Sequence, residues 1–262
     1  MAEAEPLYRE NLAARQRALG PEHPDTVVAM DSLANLLFAE GRMTDAEKLF
    51  RQTVEIRLRT LGAEHHDTLR SESNLADLLR KEGRLQEAEK LQRETLATMV
   101  RVLGPENPLT LLSQCDLARV LNREGRDAEA EKIARATFDV EIRVMGPQHP
   151  ATVDALQQLG VALAHSHRYP EAAKLFREVI EKQDNFKAQG ERFLVWYSFA
   201  SVAAVANHPD EALQYLQEAV NRGYKDADGL MTDDNLKSLR QNPHFQALVS
   251  ELKRSSAKTQ TQ

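Results

Sequence analysis

The chain has 262 residues, of which 42% are hydrophobic, 5% aromatic and 28% charged, a composition that suits a helical protein with a core of Leu and Ala. Its net charge of -6 lacks the basic field that non-specific nucleic-acid binding needs, so we exclude DNA and RNA as partners. Cys115, the single cysteine, excludes an internal disulfide and favours a reducing cytoplasm, and the sequence has neither a membrane-length apolar run nor a signal peptide.

The first predicted element, residues 1–18, is a single helix. Ala4 stands 42 residues before Ala46, in a segment similar to the one that follows Ala46, yet no partner helix precedes it. The chain therefore begins in the middle of a repeat. We expect it to be either a fragment of a longer protein or a truncated gene product.

Four full repeats follow, because two series of residues recur every 42 positions. Variants of the LGPEHPDT segment contain Gly20, Gly62, Gly104 and Gly146. The EGR segment begins at residues 40, 82 and 124, and SHR takes its place at 166. Between them the Leu residues fall at helical spacing, so each repeat is predicted to be two helices. The predicted repeats are 19–60, 61–102, 103–144 and 145–185.

Boundary residues in the first full repeat predict where its two helices begin and end. The first helix should run from Pro24 to Glu40, with Gly41 as its C-terminal glycine. The second should open at Thr44 and Glu47, which have capping-box spacing. We assign His23, His65 and His149, with Asn107 at the equivalent place, to the starts of first helices, since residues one repeat apart cannot converge on one metal ion.

A shorter repeat is predicted at 186–222, with Trp196 and Phe199 in its first helix. Residues 223–254 read as a helical cap that ends the stack, with Phe245 and Leu248 facing inward and the last helix running from Pro243 to Lys253. Residues 255–262 are predicted to be a disordered polar tail.

The segment LGPEHPDTVVAMDSLANLLFAEGRMTDAEKLFRQTVEIR resembles the tetratricopeptide repeat (TPR), in the 42-residue variety of kinesin light chains and many bacterial multidomain proteins. The resemblance covers about residues 1–222 and implies an all-α fold, a right-handed α-solenoid of helix-turn-helix repeats. Gln92 and Ala134 depart from it where an aromatic residue or Leu is usual, and His167 replaces a glycine between helices. These departures predict looser packing of the second helices.

In this architecture the first helices of successive repeats line a concave groove, which is our candidate binding site. An Arg- and Asn-rich middle would hold an extended, acidic peptide through its carboxylates and backbone amides. The alternative is that these are ordinary solvated residues, with Asp77 and Asp116 neutralising neighbouring arginines. The predicted groove residues are Asn35, Arg70, Asn74, Asp77, Arg80, Arg119, Asn122, Arg123 and Gln157.

No residue pattern points to catalysis, a cofactor or a metal ion. Cys115 lacks a neighbouring base, and the sequence contains no phosphate-binding glycine loop and no nucleophile elbow. His65, His66 and Asp67 are ligand-type residues without a second cluster at zinc-like spacing.

We therefore expect a non-enzymatic scaffold that binds a partner protein or peptide, as the C-terminal module of a larger signalling protein. The alternative function is self-assembly, with the uncapped N-terminal half-repeat pairing against another copy. A third hypothesis, an enzyme that uses the groove as its active site, lacks the convergent acid, base or nucleophile that it needs.

Overall fold

The computed structural model describes residues 4–184 and 193–259, and these ranges contain helices and turns but no strand. The chain divides into two compact units, Met1–Val120 and Leu121–Gln262. No helix of the described ranges is both long and apolar enough to cross a membrane. The predicted boundary between residues 185 and 186 lies outside the described residues.

Unit 1 is built from antiparallel helix pairs in which each helix packs against the next. First helices of the full repeats begin 42 residues apart, as do second helices. The helices are α1 (Ala4–Leu19), α2 (Pro24–Ala39), α3 (Met43–Thr60), α4 (His66–Lys81), α5 (Leu85–Leu103) and α6 (Pro108–Glu124), within which the boundary of the unit falls.

The starts and ends of the first helices confirm two sequence predictions. His23 Nδ1 accepts a hydrogen bond from the Asp25 amide at 3.2 Å, and His65 and His149 cap their helices in the same way. The side chain of Asn107 does the same for the Leu109 amide at 2.9 Å. After α2, Gly41 has a φ of +77°, which a residue with a Cβ adopts only at a cost.

The predicted capping box at Thr44 and Glu47 is wrong. Helix α3 begins at Met43, and Arg42 stands at the cap position without a capping side chain. Glu47 is drawn away from the helix start because Arg51 and Arg84 both bind its carboxylate, each at 2.7 Å.

A core cluster of unit 1 includes residues from each of α1 to α6. Phe50, fully buried, packs edge-on against Phe38 with ring centroids 6.4 Å apart. Gln92, predicted to loosen the packing, is also fully buried, and its amide donates to the backbone oxygen and hydroxyl of Ser113 at 3.0 and 2.8 Å. The amide nitrogen therefore has two partners, whereas the amide oxygen of Gln92 has none among the described residues.

Unit 2 continues the helix pairs and ends in shorter elements. Phe176 and Phe199 stack in its core with ring centroids 4.8 Å apart, and Gly160 lies beside them. Ala134, the other residue predicted to loosen the packing, is fully buried. The elements are α7 (Asp127–Val144), α8 (Pro150–His165), α9 (Tyr169–Asp184), α10 (Phe193–Val205), α11 (Pro209–Asn221), α12 (Ala227–Thr232), a 3-10 helix (Asp234–Leu239) and α13 (Pro243–Thr259).

The C-terminal segment differs from its prediction in length. Phe245 and Leu248 are buried, as expected. Helix α13, however, runs to Thr259 rather than Lys253, so the predicted disordered tail begins inside a helix. Nothing in SSAKT breaks a helix, and the Ser255 hydroxyl donates to the Glu251 carbonyl at 3.0 Å. Residues 260–262 lie outside the described ranges.

Candidate functional site

The first helices of unit 1 present an open row of side chains, which we call the first-helix face. Its members lie three or four residues apart on each helix and are exposed or half-buried, because the Leu and Ala between them face the core. The residues of this face are Val28, Ser32 and Asn35 on α2, Arg70, Asn74 and Asp77 on α4, and Leu112, Asp116 and Arg119 on α6.

The arginines of unit 1 predicted for the groove are paired within their own helices. Arg70 binds Asp67 at 3.0 Å, Arg80 binds Asp77 at 2.6 Å, and Arg119 binds Asp116 at 2.5 Å. Each aspartate stands three residues before its arginine, a spacing that brings the two side chains together on a helix. Asp77 and Asp116 therefore neutralise Arg80 and Arg119, as the alternative interpretation expected.

Arg80 is also buried, with a side chain only 8% exposed, so it cannot reach far from α4. Its position, five residues after the leading Leu75, faces the core side rather than the open row. Arg70 and Arg119 remain at the surface, with side chains 46% and 25% exposed.

The asparagines of the first-helix face are better placed for a peptide backbone. Asn35 is exposed, and its amide nitrogen donates to the Asp31 carbonyl at 2.8 Å, which fixes the side chain, while its amide oxygen has no hydrogen-bond partner among the described residues. Asn74 is half-buried one repeat along. The face can also make apolar contacts, since Val28 and Leu112 are 48% and 47% exposed. The face therefore combines apolar surface with amide groups and neutralised charge.

Two predicted residues of unit 2 serve the packing of the repeats. Asn122 is buried, and its amide donates to the Gln158 backbone oxygen at 3.0 Å. Gln157 is half-buried and accepts a hydrogen bond from the Ser198 hydroxyl at 3.1 Å. Both side chains link first helices of unit 2.

Arg123 lies beside a polar cavity in unit 2 and binds a carboxylate there. The cavity has a volume of about 520 Å³, and its walls are the C-terminal ends of α6, α8 and α10 and the 3-10 helix. The guanidinium of Arg123 contacts the Asp234 carboxylate, and both side chains are partly exposed. His165 and Lys237 add basic groups, His165 with Asp127 at 2.7 Å from its Nδ1. We call this the end pocket.

Sequence reasoning missed Asp234 and Lys237, because the capping segment is 111 residues beyond Arg123 and carries no repeat signal. The segment is anchored through the neighbouring Asp233, whose carboxylate accepts hydrogen bonds from Tyr197 at 2.6 Å and Ser201 at 3.3 Å. Burial, together with the charge of Asp233, raises the pKa of Tyr197 well above its ordinary value, so its hydroxyl stays protonated and donates.

His65, His66 and Asp67 bring their ligand-type atoms within 4.8 Å of one another at the start of α4. His65 Nδ1 is occupied by the Asp67 amide, and the Asp67 carboxylate binds Arg70. The positive end of the helix dipole also opposes a cation there. The geometry serves the helix start, as predicted from the repeat spacing.

The comparisons with known proteins agree with the helix-pair architecture. The family model described as tetratricopeptide repeat matches residues 1–59, 28–99, 67–140 and 116–184. A second model, described as A/B hydrolase-like, N-terminal domain, matches residues 154–260, which is less than half of the chain. The chain matches no curated protein.

Two solved structures are similar over most of their length. The kinesin light chain nearly identical TPR-like repeats of Podosopora anserina are 25% identical, with a TM-score of 0.62, over 76% of this chain and 96% of that one. BtubC (BKLC) of P. vanneervenii is 18% identical, with a TM-score of 0.60, over 83% of this chain and 93% of that one. These similarities confirm the predicted all-α solenoid class.

Proposed function

Because the chain belongs to the tetratricopeptide repeat family, we propose that it is a non-enzymatic scaffold that binds a partner protein or an extended peptide on the first helices of its repeats. The observation that carries this proposal is the first-helix face of unit 1. It is open to solvent, it has exposed apolar side chains at Val28 and Leu112, and it holds Asn35 in a fixed orientation with a free acceptor.

The pairing of the arginines changes the expected chemistry of the ligand. A peptide on the first-helix face meets paired charges, so its backbone amides and apolar side chains supply most of the contacts. We assign the contacts with this peptide to Asn35, Asn74 and Arg119. Arg70 and Asp77 lie at the border of the contact surface.

Preference for an acidic ligand belongs to Arg123 in the end pocket. Its guanidinium already binds the Asp234 carboxylate, so the position has the geometry for an acidic side chain or a C-terminal carboxylate. Both groups of the pair are partly exposed, which makes the pair weak and open to exchange.

The match to an A/B hydrolase-like N-terminal domain does not change the proposal that the chain is not an enzyme. The described part of the region that matches consists of helices and the turns between them, with no strand. A hydrolase needs a nucleophile, a base and an oxyanion site that converge, and a nucleophile elbow requires a strand-to-helix turn. We propose further that the chain works in the reducing cytoplasm.

Peptide binding is tested by selecting ligands from a displayed random library and measuring their affinity by fluorescence anisotropy. Arg119→Glu should weaken binding to the first-helix face by roughly tenfold, because the new charge repels the paired Asp116 and removes a donor. Lys90→Glu, an exposed reversal on the second helix α5, is the matched control and should leave the affinity unchanged. Equal effects of both variants would contradict the assignment.

The acidic preference has its own test on the same peptides. Arg123→Glu should abolish the advantage of peptides with a carboxylate over their amide counterparts, whereas Lys132→Glu on α7 should keep it. A carboxylate preference that survives Arg123→Glu would place its origin elsewhere.

A second function, self-association through α1, is favoured by a separate observation. Tyr8 is 41% exposed, although Phe50, its equivalent one repeat later, is completely buried. A homo-oligomer formed through the N-terminal half-repeat would cover this surface.

A further inference from the structure

A small pocket lies between the first two full repeats of unit 1, and we call it the Val28 pocket. Its volume is about 310 Å³, near the lower limit of roughly 300 Å³ for ligand pockets, so it suits a single large side chain. The apolar part of its wall includes Pro24, Val27, Val28 and Leu61, and the side chain of Arg57 also lines it.

Arg57 is a buried cation in this pocket, with a side chain only 3% exposed. Its Nη1 donates to the Asp31 carboxylate at 3.3 Å, to the Asp67 backbone oxygen at 3.1 Å and to the Ser71 hydroxyl. Its Nε and Nη2 have no hydrogen-bond partner among the described residues. Because buried donors without a partner cost free energy, these two N–H groups favour a ligand that brings an acceptor.

Packing of the repeats does not require a charged side chain at this position. One repeat later, Met99 stands at the position of Arg57 and is also buried, and Ser73 stands at the position of Asp31. An apolar residue in place of a buried ion pair is often neutral or stabilising, so the pair of Arg57 with Asp31 is weak evidence for a role in stability. We therefore assign Arg57 a role outside packing.

The Val28 pocket is continuous with the first-helix face, because Val28 belongs to both. Val28 and Leu61 are 48% and 38% exposed, so the apolar wall is open to a ligand. Asn35 lies seven residues after Val28 on α2, a distance of about 10 Å along the helix axis. About three residues of an extended peptide span that distance, so one peptide can contact Asn35 and enter the pocket.

The charges of the pocket balance one another. Asp31 offsets the charge of Arg57, and the two lining carboxylates, of Glu22 and Asp67, each bind a surface arginine. A carboxylate on the ligand would add an uncompensated negative charge to a buried place, which is costly. A carbonyl oxygen accepts from the same N–H groups without adding charge, so a neutral ligand fits better.

We propose that the Val28 pocket binds one large apolar side chain of the partner peptide, such as Leu or Phe. Arg57 donates from Nε and Nη2 to the backbone carbonyl of that anchoring residue. The proposal rests on the peptide-binding function given above. It adds that the peptide has an apolar anchor about three residues from the one that contacts Asn35.

Two small probes test the pocket on the full chain by NMR titration. N-acetyl-leucine methylamide has the apolar side chain and neutral carbonyls, whereas N-acetyl-leucine ends in a carboxylate. The methylamide should shift the backbone signals of Thr60 and Leu61 with a Kd of roughly 1 mM, because the probe is small. The carboxylate probe should bind about tenfold more weakly, because its charge is not compensated in the pocket.

A double variant tests the role of Arg57. Asp31→Ser with Arg57→Met removes the donors and keeps the packing, since the second full repeat has Ser and Met at these positions. It should weaken binding of the methylamide by roughly tenfold. Lys48→Met, at an exposed position near the other end of α3, is the control and should leave the affinity unchanged. Circular dichroism checks that both variants are folded.

The outcomes separate the pocket from the proposed function. Tighter binding of the methylamide than of the carboxylate, lost in the double variant, supports the proposal. Absence of shifts at Thr60 and Leu61, tighter binding of the carboxylate, or an unchanged affinity in the folded double variant overturns it. The comparison of the two probes on the native chain needs no variant. Selected peptides that bind the first-helix face without these shifts would overturn the pocket and leave the peptide-binding function standing.

Discussion

At the scale of single residues, Glu141 on α7 is a carboxylate in unfavourable surroundings. It is completely buried, and neither carboxylate oxygen has a hydrogen-bond partner among the described residues. Burial, reinforced by the charge of Asp154, raises the pKa of Glu141 to about 7. The equivalent residue of the next repeat is Gln183, also buried, whose amide donates to the Pro147 carbonyl at 2.7 Å.

Glu141 predicts a pH dependence of unit 2. Because its pKa is higher in the folded than in the unfolded chain, the folded state binds the proton more tightly, and stability falls as pH rises from about 4.5 to about 7. The full loss is about 3 kcal/mol. Glu141→Gln should be more stable than the native chain at about pH 8 and similar to it at about pH 5.

Urea unfolding at both pH values checks this prediction, with the fluorescence of Trp196 as a probe that lies inside unit 2. Parallel pH profiles of the native chain and Glu141→Gln would show that Glu141 ionises without cost in the folded state.

His167 supplies a second test at this scale. It has a φ of +58° at the place where Gly41, Gly83 and Gly125 stand in the earlier repeats. A residue with a Cβ is strained there, so His167→Gly should stabilise unit 2 by about 1 kcal/mol, despite the greater freedom of glycine in the unfolded chain. A lower urea midpoint for the glycine variant would contradict this explanation.

At the scale of helices, Gly160 determines how closely α8, α9 and α10 can pack. A Cβ at this position would lie 2.8 Å from Val202 and 2.9 Å from Phe176, closer than carbon atoms normally approach. The equivalent residues in the three preceding repeats are Ala34, Ala76 and Ala118. The last regular repeat therefore brings its neighbouring helices nearer than alanine allows.

Gly160→Ala should destabilise unit 2 by roughly 1–3 kcal/mol, although alanine is the better helix former. Val202→Ala in the same chain should recover much of the loss, because it removes the two methyl groups that the new Cβ would meet. Thermal unfolding of the two single variants and the double variant measures this coupling. Additive losses would mean that the helices shift apart instead.

The repeat register predicts which segments are helices and where most of these helices start. It does so because Pro and His at fixed positions start a helix and Gly at a fixed position ends one. The sequence did not predict that Arg42 and Arg84 of the EGR segments would join second helices. Arg84, for example, binds Glu47 of the preceding repeat and Glu87 of its own, each at 2.7 Å. The capping-box spacing of Thr44 and Glu47 pointed to a local bond, whereas the acidic residue is taken by a partner 37 residues away.

At the scale of the whole molecule, the predicted groove residues divide between the first-helix face, the packing of the repeats and the end pocket, and the sequence did not predict this division. The aspartates that neutralise Arg80 and Arg119 lie three residues before them, so intrahelical pairing was a recognisable alternative. The pairing of Arg123 with Asp234 was not, because it depends on how the capping segment folds back within unit 2. Tertiary packing therefore decides whether an arginine pairs with an aspartate of its own helix or with a residue distant in the sequence.

The most direct test of the central claim is photo-crosslinking of a selected peptide to the full chain, with the adducts located by mass spectrometry. A peptide on the first-helix face should form adducts on α2, α4 and α6, at residues such as Asn35, Asn74 and Arg119. Adducts confined to the second helices α3 and α5 would contradict the proposal that the first helices of the repeats bind the partner.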